Sequence, residues 1–253
     1  MQSEIPGGNA MQLIEELSMN ALPALQTLLL DGWVIRLADG YTKRANSVNP
    51  VYASSGDVHQ KIAECEALFR SVNLKPTYKI APQTFPMNLD GILEGKGYSA
   101  VHPTSVQILD LSNLPEPSIH SVISDSEFNP LWFEHYCELN GVHSQNRTTF
   151  AKMLKNLVPE KFFTSLIHRN EIVGCGMAVM EKGYIGIYDI TVQEKYRNCG
   201  YGYQMILNML HEGMAKGAKQ AYLQVVLNNP AALHLYAKLG FTEAYQYHYR
   251  VIH

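Results

Sequence analysis

The apolar positions along the second half of the chain alternate between strand-like and helix-like spacing. The predicted strands are Phe162 to Ile167, Ile172 to Met180, Tyr184 to Val192, Ala221 to Leu227, and a final strand pair within Phe241 to Ile252. The predicted helices are Glu127 to Leu139, Thr148 to Leu157, Gly202 to Lys216 and Pro230 to Leu239. Because strands come first and then alternate with helices, the pattern predicts an α/β fold with helices packed on a mixed sheet.

Composition and charge narrow the class of protein. The 253 residues are 46% hydrophobic and 17% charged, and the net charge is -3. This balance is ordinary for a soluble globular protein, and it provides no field that would hold a nucleic-acid backbone or an anionic membrane. Met1 to Leu13 lack the pattern of a secretory leader, and the four cysteines lack metal-ligand or disulfide spacing. We therefore expect a cytoplasmic protein with no metal, no nucleic-acid partner and no membrane partner.

A segment without periodicity divides the chain. Leu109 to Ser118 contains two prolines, a composition typical of a linker. It predicts two domains, over residues 1–115 and 116–253.

The residues Arg197-Asn198-Cys199-Gly200-Tyr201-Gly202 follow a predicted strand and open a predicted helix. A helix N-terminus has unpaired N–H groups and a partial positive charge, so it binds phosphate groups. Glycines at 200 and 202 let a diphosphate approach the backbone, and Arg197 adds a charged donor. The motif lacks the Gly-Lys-Ser/Thr of a nucleotide-hydrolase loop. By itself it is equally compatible with a simple strand-to-helix turn.

The segment Asn229 to Phe241 has the signals of a short capped helix. Asn229 suits the N-cap, Pro230 the first helical position, and Gly240 the left-handed C-terminal position. These roles explain the ends of the helix, but they leave Tyr236 unexplained.

Together, the two motifs resemble the signatures of the GNAT superfamily of N-acetyltransferases, over residues 119 to 253. The family pattern Arg/Gln-x-x-Gly-x-Gly/Ala matches Arg197 to Gly202, and Asn-x-x-Ala-x-x-Leu-Tyr-x-x-x-Gly-Phe matches Asn229 to Phe241. The resemblance implies the GNAT acyl-CoA N-acyltransferase fold and acetyl-CoA as co-substrate. It also implies a cofactor site made of Ile190, Thr191, Val192, Arg197, Asn198, Cys199, Gly200, Tyr201, Gly202, Asn229, Ala232 and Tyr236.

The reaction implied by this resemblance is direct attack of a primary amine, on a small molecule or peptide, on acetyl-CoA. A tyrosine hydroxyl can donate a proton to the leaving thiolate, so Tyr236 is the candidate acid. Asp189 is the candidate base, although strand alternation turns it away from Ile190. The other candidate bases are Glu181, Tyr184 and Tyr188. Cys199 is expected to fill space in the loop and not to act as a nucleophile.

The N-terminal half resembles a partial, degenerate second copy, which gives a tandem arrangement. A shift of about 144 residues aligns Val48 with Val192, Gly56 with Gly200 and Tyr78 with Tyr222. The elements predicted for this copy are a hairpin of Trp33 to Ala38 and Lys43 to Val48, and the helices Val58 to Phe69 and Leu89 to Gly95. The groups that would bind or use a cofactor are replaced by Ala53, Val58 and Leu93. This copy is therefore expected to be silent.

Several alternatives stay open. A non-catalytic module that binds or senses acyl-CoA is the alternative to an enzyme. Arg44 and Asn46, on a predicted strand, belong either to a solvated edge or to an acceptor site. The aromatic residues Trp132, Tyr136, Tyr245 and Tyr247 suit either an acceptor pocket or a core. The chain is expected to be a monomer or a homodimer.

Overall fold

The computed structural model describes residues 8–119 and 121–252. Its helices are α1 (Gly8–Ala21), α2 (Val58–Ser71), α3 (Leu89–Gly95), α4 (Pro130–Leu139), α5 (Ser144–Lys155), α6 (Tyr201–Ala215) and α7 (Pro230–Leu239). Its strands are β1 (Gln26–Leu30), β2 (Trp33–Leu37), β3 (Ser47–Asn49), β4 (Thr77–Ile80), β5 (Ser99–Asp110), β6 (Val122–Asp125), β7 (Glu160–His168), β8 (Glu171–Glu181), β9 (Tyr184–Val192), β10 (Gln220–Val226) and β11 (Thr242–Val251). Residues 1–7, on which part of the leader prediction rests, lie outside the described residues. None of the described helices has the length and apolar composition needed to cross a bilayer.

The chain divides into two compact units. The first contains residues up to Val106, Val226–Asn228 and residues from Glu243 onward, and the second contains Gln107–Val225 and Asn229–Thr242. The last strand therefore belongs almost entirely to the first unit. The division into domains 1–115 and 116–253 stays a prediction, because compactness does not show which segments fold on their own.

In the first unit the strands lie in the order β1-β2-β3-β4-β11. β3 and β4 are parallel, and the other neighbours are antiparallel. Ile62 and Phe69 of α2 and Leu93 of α3 pack with Trp33 and Tyr78 of the sheet in one buried cluster. The helical positions of this unit are thus fixed by an apolar core of its own.

In the second unit the strands lie in the order β10-β9-β8-β7-β6. β9 and β10 are parallel, and the others are antiparallel. Met205 and Met209 of α6 belong to one buried cluster with Ile185 of β9. A Cβ at Gly213 would lie 2.6 Å from Ile185 Cδ1, so α6 packs closely on the strand, and a larger residue there would displace the end of the Ile185 side chain. The predicted α/β class with a mixed sheet is confirmed.

Local signals account for the elements that match their predictions best. α7 has the predicted ends: the Asn229 side chain accepts a 3.1 Å hydrogen bond from the Ala232 N–H, and Gly240 has a φ of 95°. α2 begins at Val58, as predicted, because the Asp57 side chain accepts from the Gln60 N–H at 2.8 Å.

Three element predictions are wrong. Lys43–Ala45 forms a 3-10 turn, and the strand begins only at Ser47. The predicted final strand pair is the single strand β11, because residues 242–251 contain no Gly, Pro, Asn or Asp to form a turn. The predicted linker starts too early, since β5 continues to Asp110 and Leu111 is buried in a second 3-10 turn.

Candidate active site

Strands β9 and β10 are paired only in their first halves. Their parallel register runs from Tyr184 opposite Gln220 to Ile187 opposite Leu223. β9 keeps its pairing with β8, on its other side, as far as Val192. The edge of β9 over residues 190–192 therefore lies beyond its pairing with β10 in this register, and it offers backbone groups to an extended ligand.

A bulge lies in the same part of β9. The pairing with β8 shifts by one residue between Cys175 and Met177, so that Asp189 and Ile190 together oppose Gly176. Asp189 has a left-handed φ of 55°. Because simple alternation does not hold through a bulge, the prediction that Asp189 points away from Ile190 loses its basis.

The turn between β9 and α6 has a fixed backbone shape. Arg197 Nε donates a 3.1 Å hydrogen bond to the Val192 carbonyl, and Asn198 and Gly200 have left-handed φ values of 60° and 80°. The Gln204 N–H bonds to the Gly200 carbonyl at 3.0 Å. The N–H groups of residues 201–203 precede that bond and have no acceptor inside the helix, so this end of α6 favours an anion.

A cavity of about 600 Å³ lies beside this turn. Its volume is in the range of small-molecule sites. Ten of the predicted cofactor residues line it, namely Ile190, Thr191, Val192, Arg197, Asn198, Gly200, Tyr201, Gly202, Asn229 and Ala232. Cys199 and Tyr236 are not among its lining residues. Cys199 is exposed, with its Sγ 3.4 Å from the Arg197 carbonyl, so the prediction that it fills space is wrong.

Seven further residues that the sequence patterns did not indicate line this cavity. They are Asn140, Tyr196, Tyr203, Ala231, His234, Leu235 and Lys238. The four on α7 are spaced as one face of a helix, and this spacing is the signal that could have identified them. Asn140 follows α4 and is distant in sequence from both motifs, so no local pattern indicates it.

Tyr236 lies near Asp189. Burial of the Tyr236 hydroxyl, and secondly the negative charge of Asp189, raise the pKa of Tyr236 to about 12. The Tyr236 ring packs edge-on against Phe241, with 6.0 Å between the ring centroids. The structure thus brings the predicted acid and the predicted base into electrostatic reach of each other, with the phenol protonated at ordinary pH.

The other candidate bases differ in position. Tyr188 is buried, and its hydroxyl shares a 2.7 Å hydrogen bond with the hydroxyl of Tyr222. Glu181 and Tyr184 face each other at the start of β9. Five residues of strand separate Tyr184 from Asp189, which corresponds to roughly 16 Å. Of these candidate bases, Asp189 is the one whose charge raises the pKa of Tyr236.

The aromatic residues left open in the sequence have packing roles. Trp132 is fully buried and donates from Nε1 to the Thr164 carbonyl at 2.9 Å, and its ring stacks on Tyr136 at 5.2 Å. Tyr245 and Tyr247 belong to the first unit, where both are buried. These contacts favour the core interpretation of all four residues.

Asn46 is a buried residue that shapes a turn of the first unit. Its Oδ1 accepts from the N–H groups of Ala38 at 2.7 Å and Gly40 at 2.9 Å, and its Nδ2 donates to the Thr42 carbonyl at 2.9 Å. The strand that follows it, β3, lies between β2 and β4. The interpretation of this segment as a solvated edge is therefore wrong.

The four cysteines differ sharply in accessibility. Cys65, Cys137 and Cys175 are buried, and burial raises the pKa of their thiols to about 12, 11 and 12. Cys199 is exposed beside the cavity-lining turn. Among residues 8–119 and 121–252, no three His, Cys, Asp or Glu side chains are grouped in a way that could hold a metal ion.

Titration of the native chain with N-ethylmaleimide is expected to modify one thiol rapidly, and peptide mapping is expected to identify it as Cys199. Saturating acetyl-CoA, whose sulfur is blocked as a thioester and does not consume the reagent, should slow this modification, because the ligand would cover the turn. A Cys199→Ser variant is the control and should show no fast phase. Equal rates with and without acetyl-CoA would indicate that the ligand binds elsewhere.

The chain matches a family model over residues 10–250, and the model is described as "Probable histone acetyltransferase Rv0428c C-terminal". A relative from Bacillus subtilis, described as "Uncharacterized N-acetyltransferase YobR", is 27% identical over 243 residues, which cover 94% of this chain and 97% of the relative. The match therefore includes both units and not only the segment with the two motifs.

Two solved structures share the fold. A GCN5-related N-acetyltransferase from Kribbella flavida superposes with a TM-score of 0.72 at 13% identity, over 95% of this chain and 94% of the other. A tandem GNAT protein from the clavulanic acid biosynthesis pathway superposes with a TM-score of 0.70 at 13% identity, over 94% and 87% of the two chains. At these identities the similarity establishes the fold alone.

Proposed function

The chain belongs to the acetyltransferase family described as "Probable histone acetyltransferase Rv0428c C-terminal", which is of the GNAT type, and on this premise we propose that it transfers an acetyl group from acetyl-CoA to a primary amine. The observation that carries the proposal is the cavity between the open edge of β9 and the start of α6. It offers an extended backbone edge for an amide-containing arm and a helix N-terminus for a diphosphate, which are the two recognition features of coenzyme A.

Specific residues fit parts of the ligand. The backbone of Ile190 and Val192 would pair with the pantetheine amides, and the amides from Asn198 to Gly202 would hold the diphosphate. Arg197 has its Nε on the Val192 carbonyl, so it also stiffens the turn. The oxygen of the Asn229 side chain caps α7, and its amide nitrogen can donate a hydrogen bond to the pantetheine arm.

The proposed chemistry is direct transfer. An exposed alkyl amine has a pKa of about 10.4 and must lose a proton before it attacks. Asp189 is proposed as the base, acting directly or through water, and Tyr236, the predicted acid, as the group that donates a hydrogen bond to the leaving sulfur. The electrostatic interaction between these two groups supports the assignment, because it indicates that the proposed base and the proposed donor belong to one site.

A screen of amine classes would identify the acceptor. A panel of polyamines, amino sugars, amino acids and lysine-containing peptides would be tested for release of coenzyme A thiol from acetyl-CoA. The family description mentions histones, so a lysine-rich peptide belongs in the panel. Tight binding of acetyl-CoA with no turnover on any amine would favour the acyl-CoA-sensing alternative.

We also propose that the N-terminal half of the chain is a degenerate copy of the C-terminal half. The chain order β1-β2-β3-α2-β4-α3-β5 has the same element types as β7-β8-β9-α6-β10-α7-β11. In each series the second and third strands are antiparallel, and the third and fourth are parallel. These repeated pairings support a tandem arrangement.

In the first unit, the carboxylate of Asp31 binds the turn that follows β3, which corresponds to the turn proposed to bind the diphosphate in the second unit. Asp31 accepts hydrogen bonds from the Gly56 N–H at 2.8 Å and the Ser55 N–H at 3.1 Å, and it pairs with Lys61 Nζ at 3.2 Å. The Gly56 bond, and secondly Lys61, lower the pKa of Asp31 to about 2. The amides at this turn are therefore already satisfied by an internal anion.

We accordingly predict that calorimetry will give one acetyl-CoA per chain. The single site is expected in the second unit, where the amides at the start of α6 face a cavity, whereas Asp31 occupies the corresponding amides of the first unit. A stoichiometry of two would contradict the interpretation of the first unit as silent.

A further inference from the structure

Three aromatic rings meet at the ends of the turn that precedes α6. Tyr196 is directly before the turn, Tyr201 is the first residue of α6, and His168 is the last residue of β7. The His168 ring lies 5.2 Å from Tyr196 and 5.5 Å from Tyr201, measured between centroids, and the two tyrosine rings are 6.0 Å apart. His168 Nδ1 and the Tyr201 hydroxyl share a 2.9 Å hydrogen bond.

This cluster connects the turn to the end of a paired strand. β7 is paired with β8 from Glu160 to His168, with one register shift between Leu166 and Ile167, and His168 is its last paired residue, opposite Glu171. The turn itself contains two left-handed residues, Asn198 and Gly200, and most of its side chains are exposed. The Arg197 bond to the Val192 carbonyl and the Cys199 contact with the Arg197 carbonyl act within the turn, and the contacts at its two ends add to them in fixing the directions of its amides.

We propose that His168 is a positioning residue that holds the diphosphate-binding turn in its binding conformation through Tyr201 and Tyr196. This inference rests on the proposed function, because it assigns the turn to the diphosphate. His168 does not line the cavity, whereas both tyrosines do. It therefore acts on the ligand only through them. Amides that are aligned before binding cost less conformational entropy when the ligand arrives.

The test measures the dissociation constants of coenzyme A and S-acetylpantetheine by calorimetry, on the full chain. His168→Ala is expected to weaken coenzyme A by about 10-fold, and Tyr201→Phe by about 3-fold, in the range expected for one ordinary hydrogen bond. S-acetylpantetheine, which has no diphosphate, is expected to bind the wild type and both variants equally. His168→Asn, whose amide can reach the Tyr201 hydroxyl from a similar position, should recover most of the affinity.

The control is His59→Ala, which removes an exposed histidine from the first unit and should leave both constants unchanged. Circular dichroism identifies any variant that is unfolded. Tyr201→Phe keeps the ring, so this variant provides a result even if His168→Ala fails to fold.

Unchanged coenzyme A affinity in Tyr201→Phe and His168→Ala would overturn the inference. Equal weakening of both ligands would also overturn it, because it would indicate general damage. A wild type that binds no coenzyme A would instead refute the proposed function.

Discussion

A Gly202→Asp variant is expected to lose at least about 100-fold in affinity for acetyl-CoA and to remain fully folded. Gly202 is in the first turn of α6 and lines the cavity. A Cβ there would meet Leu235 Cδ2 at 3.4 Å and Val192 Cγ2 at 3.8 Å, which are ordinary contacts. A carboxylate near a helix N-terminus stabilises the helix, so the substitution is not expected to lower the melting temperature.

The loss of affinity has an electrostatic cause. Two like charges at 4 Å repel each other by about 4 kcal/mol at an effective dielectric constant of 20, and about 2.7 kcal/mol is enough for a 100-fold effect. The chain contains an example of this arrangement, because Asp31 occupies the amides of Ser55 and Gly56 in the first unit. The variant would give the second unit an internal anion of the same kind.

The matched control is Gly202→Asn, which has nearly the same volume and no charge. It should bind acetyl-CoA far more tightly than Gly202→Asp, and both melting temperatures should be close to that of the wild type. Gly200 is a poorer position for this test, because its φ of 80° makes any side chain strained. Equal affinities of the Asp and Asn variants would mean that the diphosphate does not lie at the start of α6.

Features with local causes were predictable from the sequence. α7 starts and ends where Asn229, Pro230 and Gly240 indicate, since caps act within one helical turn. The family motifs likewise identified ten of the residues that line the cavity, because the turn and α7 are each continuous in sequence.

Features that depend on pairing between distant segments were not predictable. The bulge at Asp189 depends on which residues of β8 lie opposite, and alternation along β9 alone does not indicate it. Asn46 resembled an edge residue until the strand that follows it was seen between β2 and β4. Asp31 has no motif around it, and its role depends on a turn more than twenty residues later in the chain. Long-range contacts of this kind leave no local signal.

A Tyr236→Phe variant is expected to lower the turnover number by about 100-fold and to leave the affinity for acetyl-CoA nearly unchanged. The ring contact with Phe241 survives the substitution, and only the hydroxyl is lost. With a pKa of about 12, this hydroxyl is protonated at every pH at which the reaction would be assayed. It is a weaker acid than an ordinary thiol of pKa about 8.5, so it acts best as a hydrogen-bond donor to the charge that develops on sulfur. A lost hydrogen bond to a charged group costs about 1.5–3 kcal/mol, which agrees with the expected factor.

The pH dependence provides a second measurement on the same pair of residues. Because the raised pKa keeps Tyr236 protonated, loss of its proton should not cause any decline in wild-type activity below about pH 11.

Asp189→Asn removes the second cause of the shift and should lower the pKa of Tyr236, although burial, the larger cause, remains. If Asp189 is the base, the double variant is slower than Tyr236→Phe alone, because each substitution then removes a separate group. If Asp189 only tunes the phenol, the double variant is no slower than Tyr236→Phe alone, because both substitutions then act through one hydroxyl. A turnover number that Tyr236→Phe leaves unchanged would remove the phenol from the chemistry and leave Asp189 without its proposed partner.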